Sequence, residues 1–99
     1  MEQGKYYEFC SNGGAPMGFI FNDRIYEYGW APEIDTAGFV DEGGRVIYKD
    51  QPVATIERDK VVFHRDNYEL DLEEKSSSEI AERLKERNIK IDLSVLAQI

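Results

Sequence analysis

The segment Pro16 to Tyr28, PMGFIFNDRIYEY, returns between Pro52 and His64 as PVATIERDKVVFH, a spacing of 36 residues (16 to 52). Aligned without gaps, Pro16 meets Pro52, Gly18 meets Ala54, Ile20 meets Ile56, Asp23 meets Asp59, Arg24 meets Lys60 and Ile25 meets Val61. A looser third copy lies between them. There Gly38-Phe39-Val40 answers Gly18-Phe19-Ile20, and Arg45-Val46-Ile47-Tyr48 answers Asp23-Arg24-Ile25-Tyr26 two residues late. Units this short cannot bury an apolar face alone, so a repeat of this kind fixes architecture before it says anything of chemistry.

Each copy reads as a β-hairpin. Tyr6 to Cys10 alternates aromatic and polar residues and stops at Ser11-Asn12-Gly13-Gly14, whose Asn-Gly step accepts the positive φ angles of a tight turn. Pro16 to Phe21 returns, with proline tolerated as a strand's first residue. Asn22-Asp23 turns the chain into Arg24 to Tyr28, and Gly29 to Pro32 with Glu33 to Thr36 forms a loop. Strands are then expected over Ala37 to Asp41, Arg45 to Lys49, Val53 to Glu57, Lys60 to His64 and Tyr68 to Leu72. Their turns fall at Glu42-Gly43-Gly44, Asp50-Gln51, Arg58-Asp59 and Arg65-Asp66-Asn67. Eight short strands in a meander must curl into a small barrel, or stack as a flower of hairpins, to hide their edges.

The pattern changes after Leu72. Glu73 to Ser78 is polar and charged, and Ser76-Ser77-Ser78-Glu79 has the spacing of a capping box. A helix of about eleven residues is expected to follow, with Ile80, Ala81, Leu84 and the stem of Arg87 on a narrow apolar stripe and Asn88 as the left-handed stop. A helix so short needs a surface to dock on. Ile89, Ile91 and Leu93 alternate with Lys90 and Asp92 as a strand would, while Asp92 or Ser94 could instead cap a last helical turn through Ile99. Either way this apolar tail requires burial, against the sheet or against a second copy of the chain. The expected fold is therefore α+β and mostly β, a single domain over residues 1–99: an antiparallel meander over 6–72, then helix and tail over 73–99.

Charge narrows the partners. Twenty acidic against twelve basic residues, net −8, repel nucleic-acid phosphates and anionic membranes and favour a basic protein surface. The helix EIAERLKER lacks the basic recognition helix that would make it half of a DNA-binding motif. No window approaches a membrane span, and with Cys10 as the one cysteine the cytoplasm is the expected compartment. Cys10 itself reads as a small buried hydrophobe, not a nucleophile.

The hairpins between Tyr6 and Leu72, the pairs Met17-Gly18, Ala37-Gly38 and Val53-Ala54 ahead of apolar residues, and the I-Y and V-I-Y strand ends resemble the bacterial four-fold β-flower family. The resemblance covers about two-thirds of the chain. It implies four radially arranged hairpins and no assigned activity, so no catalytic residues carry over. The Trp30 to Thr36 loop and everything from Glu73 depart from strict four-fold repetition.

No catalytic centre, metal site or cofactor is expected. His64, the single histidine, is followed by Arg65-Asp66-Asn67, but those residues are what a turn needs, and no Ser or Cys is identifiable as a nucleophile. Asp41-Glu42 and Glu33 with Asp35 lack calcium-loop spacing, and Gly13-Gly14 and Gly43-Gly44 do not link a strand to a helix N-terminus. Tyr26, Tyr28 and Trp30 alternate, which puts three rings on one face near Glu33 and Asp35. Tyr26 is expected to pack in the core and Trp30 to be the exposed member.

Two functional readings follow. The first is a non-enzymatic acidic protein-interaction module, self-associating as a homo-oligomer through its tail and meeting a basic protein at the Tyr28 to Asp35 edge. The second is a small-molecule site at the hairpin ends, lined by Tyr28, Trp30 and His64.

Overall fold

The computed structural model describes residues 2–11, 13–28 and 35–89 together with Leu93. Eight strands form, the first seven from runs carrying β-branched or aromatic residues and the last from an alternating Tyr-Glu-Leu-Asp-Leu run: β1 Tyr6–Cys10, β2 Pro16–Phe21, β3 Arg24–Glu27, β4 Asp35–Val40, β5 Arg45–Tyr48, β6 Gln51–Glu57, β7 Lys60–Phe63 and β8 Tyr68–Lys75. Each pairs antiparallel with its neighbour in sequence, and β1 pairs with β8, so the meander closes into a barrel. One helix follows, α1 Ser77–Glu86. This is the mostly-β α+β fold expected, in its barrel form.

Turn chemistry sets the hairpin registers. Asn22 and Asp23 both have positive φ (48° and 63°) between the paired ends Phe21 and Arg24, as a two-residue mirror-image turn requires. The next such turn lies at Lys49 and Asp50 (51° and 64°) and not at Asp50-Gln51. These two residues take both left-handed positions, which leaves Gln51 paired with Tyr48 at the start of β6. β8 also outruns its expected end at Leu72. Tyr6, Tyr7 and Glu8 offer a backbone ladder to Lys75, Glu74 and Glu73, and that ladder decides the matter over the charged side chains. β3 and β7 stop one residue early, at Glu27 and Phe63, and β4 begins two residues early, at Asp35.

The barrel interior is filled by Phe9, Ile20, Ile25, Val46, Ala54, Val61, Leu70 and Leu72. Three joints between hairpins share one device. Phe9 faces Gly18, Ile25 faces Gly38 and Val46 faces Ala54, and beyond each pair the register slips by one residue. The extra residues are Met17, Ala37 and Val53, each directly before the small one. Such a bulge bends the strand sharply and brings backbones together at a barrel corner. A Cβ on Gly18 would lie 2.1 Å from the Tyr26 carbonyl oxygen and 2.5 Å from Phe9 Cζ; on Gly38 it would lie 2.0 Å from the Ile47 carbonyl oxygen. At the fourth joint Val61 faces Leu70 in unbroken register, and a large residue is accommodated.

The repeat also returns in the hydrogen bonds. Tyr28 N–H donates to the carbonyl of Met17 and His64 N–H to that of Val53, both at 3.0 Å. At the other end of the barrel, Val40, Ile56 and Leu72 donate to the turn carbonyls of Asp23, Gly44 and Asp59.

The helix covers one side of this barrel. Ser76 and Glu79 close the expected capping box, with side-chain-to-backbone distances of 3.2 and 3.1 Å. At the other end Asn88 has φ 58°, Asn88 N–H bonds the Lys85 carbonyl and Ile89 N–H bonds that of Leu84. That is a Schellman stop, and Ile89 folds back into the same cluster as Leu84. Ile80, Leu84 and Ile89 lie on a bed of rings: Tyr6, Phe19, Phe21, Tyr26 and Tyr28. Tyr6 stacks on Phe21 at 4.2 Å between centroids, and Phe19 on Tyr26 at 5.1 Å. Ala81 is exposed, so the stripe that docks is narrower than the sequence pattern suggests. Among tail residues Leu93 is helical and partly buried against this cluster; the remaining choice between strand and helix lies outside the described residues.

Gly18→Ala is expected to cost about 1–3 kcal/mol, the range for overpacking a filled site. Gly13→Ala, with open space around it, should change stability by less than about 0.5 kcal/mol. Urea denaturation of the two variants checks the bulge account; equal costs would remove it.

Candidate functional site

Tyr28 lies beneath the helix. β1 turns Tyr7 and Phe9 inward, so Tyr6 and Glu8 face α1, and Glu8 is only 2% exposed. Its Oε2 accepts the Tyr28 hydroxyl proton at 2.7 Å and the Arg83 Nε proton at 3.2 Å. Arg83 also reaches Glu86 at 3.0 Å. Burying a carboxylate is costly unless cation and hydrogen-bond donors both meet it, and here both do. Arg87 lies 5.6 Å over the Tyr28 ring and donates to the Pro16 carbonyl at 2.9 Å. Burial, then the hydrogen bond and charge of Glu8, push the Tyr28 hydroxyl pKa far above the usual phenol range. The hydroxyl's one proton is committed to Glu8.

Cys10, next outward on β1, is partly exposed. Burial first, then Glu8 and Glu73, raise its thiol pKa and disfavour the nucleophilic thiolate.

His64 stands on the far side of the barrel, because β3 and β7 are four strands apart in either direction. It is exposed, and its Nε2 is 2.6 Å from Thr55 Oγ1. The repeat makes the contrast direct. Phe19, Tyr26 and Tyr28, covered by α1, correspond to Thr55, Val62 and His64, which no described helix covers. Tyr28 and His64 therefore share one barrel end but stand on opposite sides of it, Tyr28 beneath α1 and His64 exposed. Trp30 and Glu33 lie outside the described residues, and Asp35 is placed by its backbone alone, paired with Glu27.

Sequence reasoning missed a groove at the opposite barrel end from Tyr28 and His64. An open depression of about 610 Å³ lies between the β2–β3 turn and the β4–β5 loop. Phe39, Val40 and Ile56 supply its apolar residues, and Asp23, Asp41 and Glu42 its carboxylates. Phe39 is 51% exposed. Asp41 is engaged in holding the loop: Oδ1 accepts from the backbone of Arg45 (2.9 Å) and Gly43 (3.0 Å), and Oδ2 from Arg45 Nε (3.0 Å). The Arg45 backbone bond, foremost, keeps its carboxyl below the ordinary carboxylate range. Asp23 Oδ2 accepts from Gln3 Nε2 at 2.7 Å, while Glu42 makes no ion pair among the described residues. A signal for this groove was present in the repeat: Phe39 answers Phe19, and one short helix covers only one of two such rings.

No metal-competent group of side chains occurs among the described residues, and no helix there is long and apolar enough to cross a membrane. No family model, curated protein or solved structure matches this chain.

Because the phenol is held neutral in the folded state and ionises freely when unfolded, its contribution to stability is complete below pH about 10 and declines as pH rises beyond it. Tyr28→Phe should therefore show a shallower loss of stability than the parent above that pH, measured by chemical denaturation across the alkaline range. Arg83→Met should destabilise by about 1–3 kcal/mol by leaving Glu8 short of its cation.

Proposed function

We infer that this protein is a non-enzymatic acidic protein-interaction module whose partner is a basic protein surface. The observation that carries the reading is the disposition of its large apolar side chains. Rings that could have lined an enclosed pocket are beneath α1, while Met17, Phe39, Tyr48 and Tyr68 stand 42 to 51% exposed on the barrel surface. The Phe39 groove is open and edged by carboxylates, which suits a protein segment better than the enclosed apolar site a small molecule needs. Kinship with the four-fold β-flower family belongs to the same proposal, supported by the bulge pairs Met17-Gly18, Ala37-Gly38 and Val53-Ala54. Cytoplasmic residence is supported by the single cysteine.

Self-association is part of the proposal too, now through residues after Ile89. The buried side of α1 is occupied by its own barrel, so the helix itself has no second apolar stripe for another copy. Light scattering on the full chain and on a chain ending at Lys90 is expected to give a multiple of 11.4 kDa for the first and monomer for the second. Two monomers would remove this part of the reading. For the partner, a photo-crosslinking residue at position 39 is expected to give a discrete protein adduct in native cells, and the same residue at exposed position 82 none. Absence of adduct at both positions would overturn the module reading.

A further inference from the structure

We propose that the groove between the β2–β3 turn and the β4–β5 loop receives a lysine or arginine side chain of an extended basic partner segment, its stem against Phe39, Val40 and Ile56 and its charged head at Glu42. This rests on the interaction-module reading and specifies its partner.

The chain carries its own template for the contact. On the opposite side of the same barrel end, a second notch of about 370 Å³ is lined by Tyr7, Arg58, Asp59, Leu72 and Glu74. The two notches correspond in the repeat: Asp23 and Asp59 sit in equivalent turns, and Val40 and Leu72 donate their N–H groups to those residues' carbonyls at 2.6 and 2.7 Å. Two residues beyond these donors stand Glu42 and Glu74. In the second notch cations belong to the chain itself, with Lys5 Nζ 3.4 Å from Glu74 and Arg58 in the lining. The first notch has three carboxylates in its lining and no cation there; Arg45, just outside it, is held by Asp41, and no cation pairs with Glu42 among the described residues.

The apolar side of the site has the same kind of precedent. Arg87 lies over Tyr28 and Lys49 lies 5.4 Å over Tyr48, whereas no cation lies over Phe39 among the described residues. Long basic side chains lay their methylenes along apolar surface and keep the charge at its edge, which a groove with a Phe39 wall and an acidic rim accommodates. With Asp41 committed to its loop, Glu42 is the carboxylate free to meet the head.

The test measures anisotropy of a fluorescein-labelled oligolysine peptide against the full chain, with oligoglutamate as control. Glu42→Lys and Phe39→Ala are each expected to weaken oligolysine by about tenfold at low salt, and Glu82→Lys, the same charge change on the exposed side of α1, by less than about twofold. Both groove residues are exposed, and unchanged thermal midpoints will confirm that the variants fold. Equal losses in Glu42→Lys and Glu82→Lys would mean diffuse attraction, overturning the groove while leaving the module reading intact. No oligolysine binding by the parent protein would overturn the cationic occupant. The crosslink at position 39 then separates the two failures: an adduct leaves a module with another kind of partner, and none removes both.

Discussion

Closure of this barrel depends on three places where backbone meets backbone with no room for a side chain or room for a methyl group alone. Eight strands of four to eight residues must turn through a full circle, and a regular ladder twists too gently for so small a circumference. The bulges at Met17, Ala37 and Val53 supply the bend, and Gly18, Gly38 and Ala54 make it sterically possible. The opposed Phe9, Ile25 and Val46 then fill the space those small residues vacate. Large against small across a bulge is one arrangement used three times, and it explains why the repeat survives in these positions when most others have changed. The fourth hairpin, assembled from β8 and β1, closes the ring without it.

The repeated barrel would present similar faces all round, and the helix breaks that equivalence. Ten residues can cover one side. Where they lie, the rings of Phe19, Tyr26 and Tyr28 face the helix beside Glu8; where they do not, the residues corresponding to those rings are Thr55, Val62 and His64. Phe39 departs from this, a ring that answers helix-covered Phe19 and yet stands uncovered above an acidic loop. Function is best sought at such departures, because positions that obey the repeat are already explained by packing.

The fold was legible because its two strongest signals were local. Strand periodicity and turn residues located all eight strands, and the Ser76-Glu79 spacing located the helix. The pairs Met17-Gly18, Ala37-Gly38 and Val53-Ala54 were visible as a repeat, although their meaning as bulges required the register. The candidate residues fared differently. Tyr28 reads identically in sequence whether it is exposed at a loop or sealed under a helix, since the deciding partners, Glu8 and Arg83, are 75 residues apart. His64 and Tyr28 occupy matching positions in the repeat, and that match is what puts them on opposite sides of the ring. The edge drawn through Trp30 and Glu33 falls outside the described residues, whereas the Phe39 groove joins elements a linear reading treats separately.

Glu8 poses a last question, since an apolar residue in its place would avoid the cost of burying a carboxylate. Hydrophobic attraction is non-directional, and two fully buried residues of α1, Ile80 and Leu84, would slide over a bed of rings with little change in area. A carboxylate sealed at 2% exposure does not tolerate that slide. Moving α1 by one turn would separate Arg83 from Glu8 and leave a buried charge with the Tyr28 hydroxyl alone. Stability lost by burying the ion is thus exchanged for a single register of helix on barrel, and that register brings Arg87 to the Pro16 carbonyl, beside the first bulge of the ring.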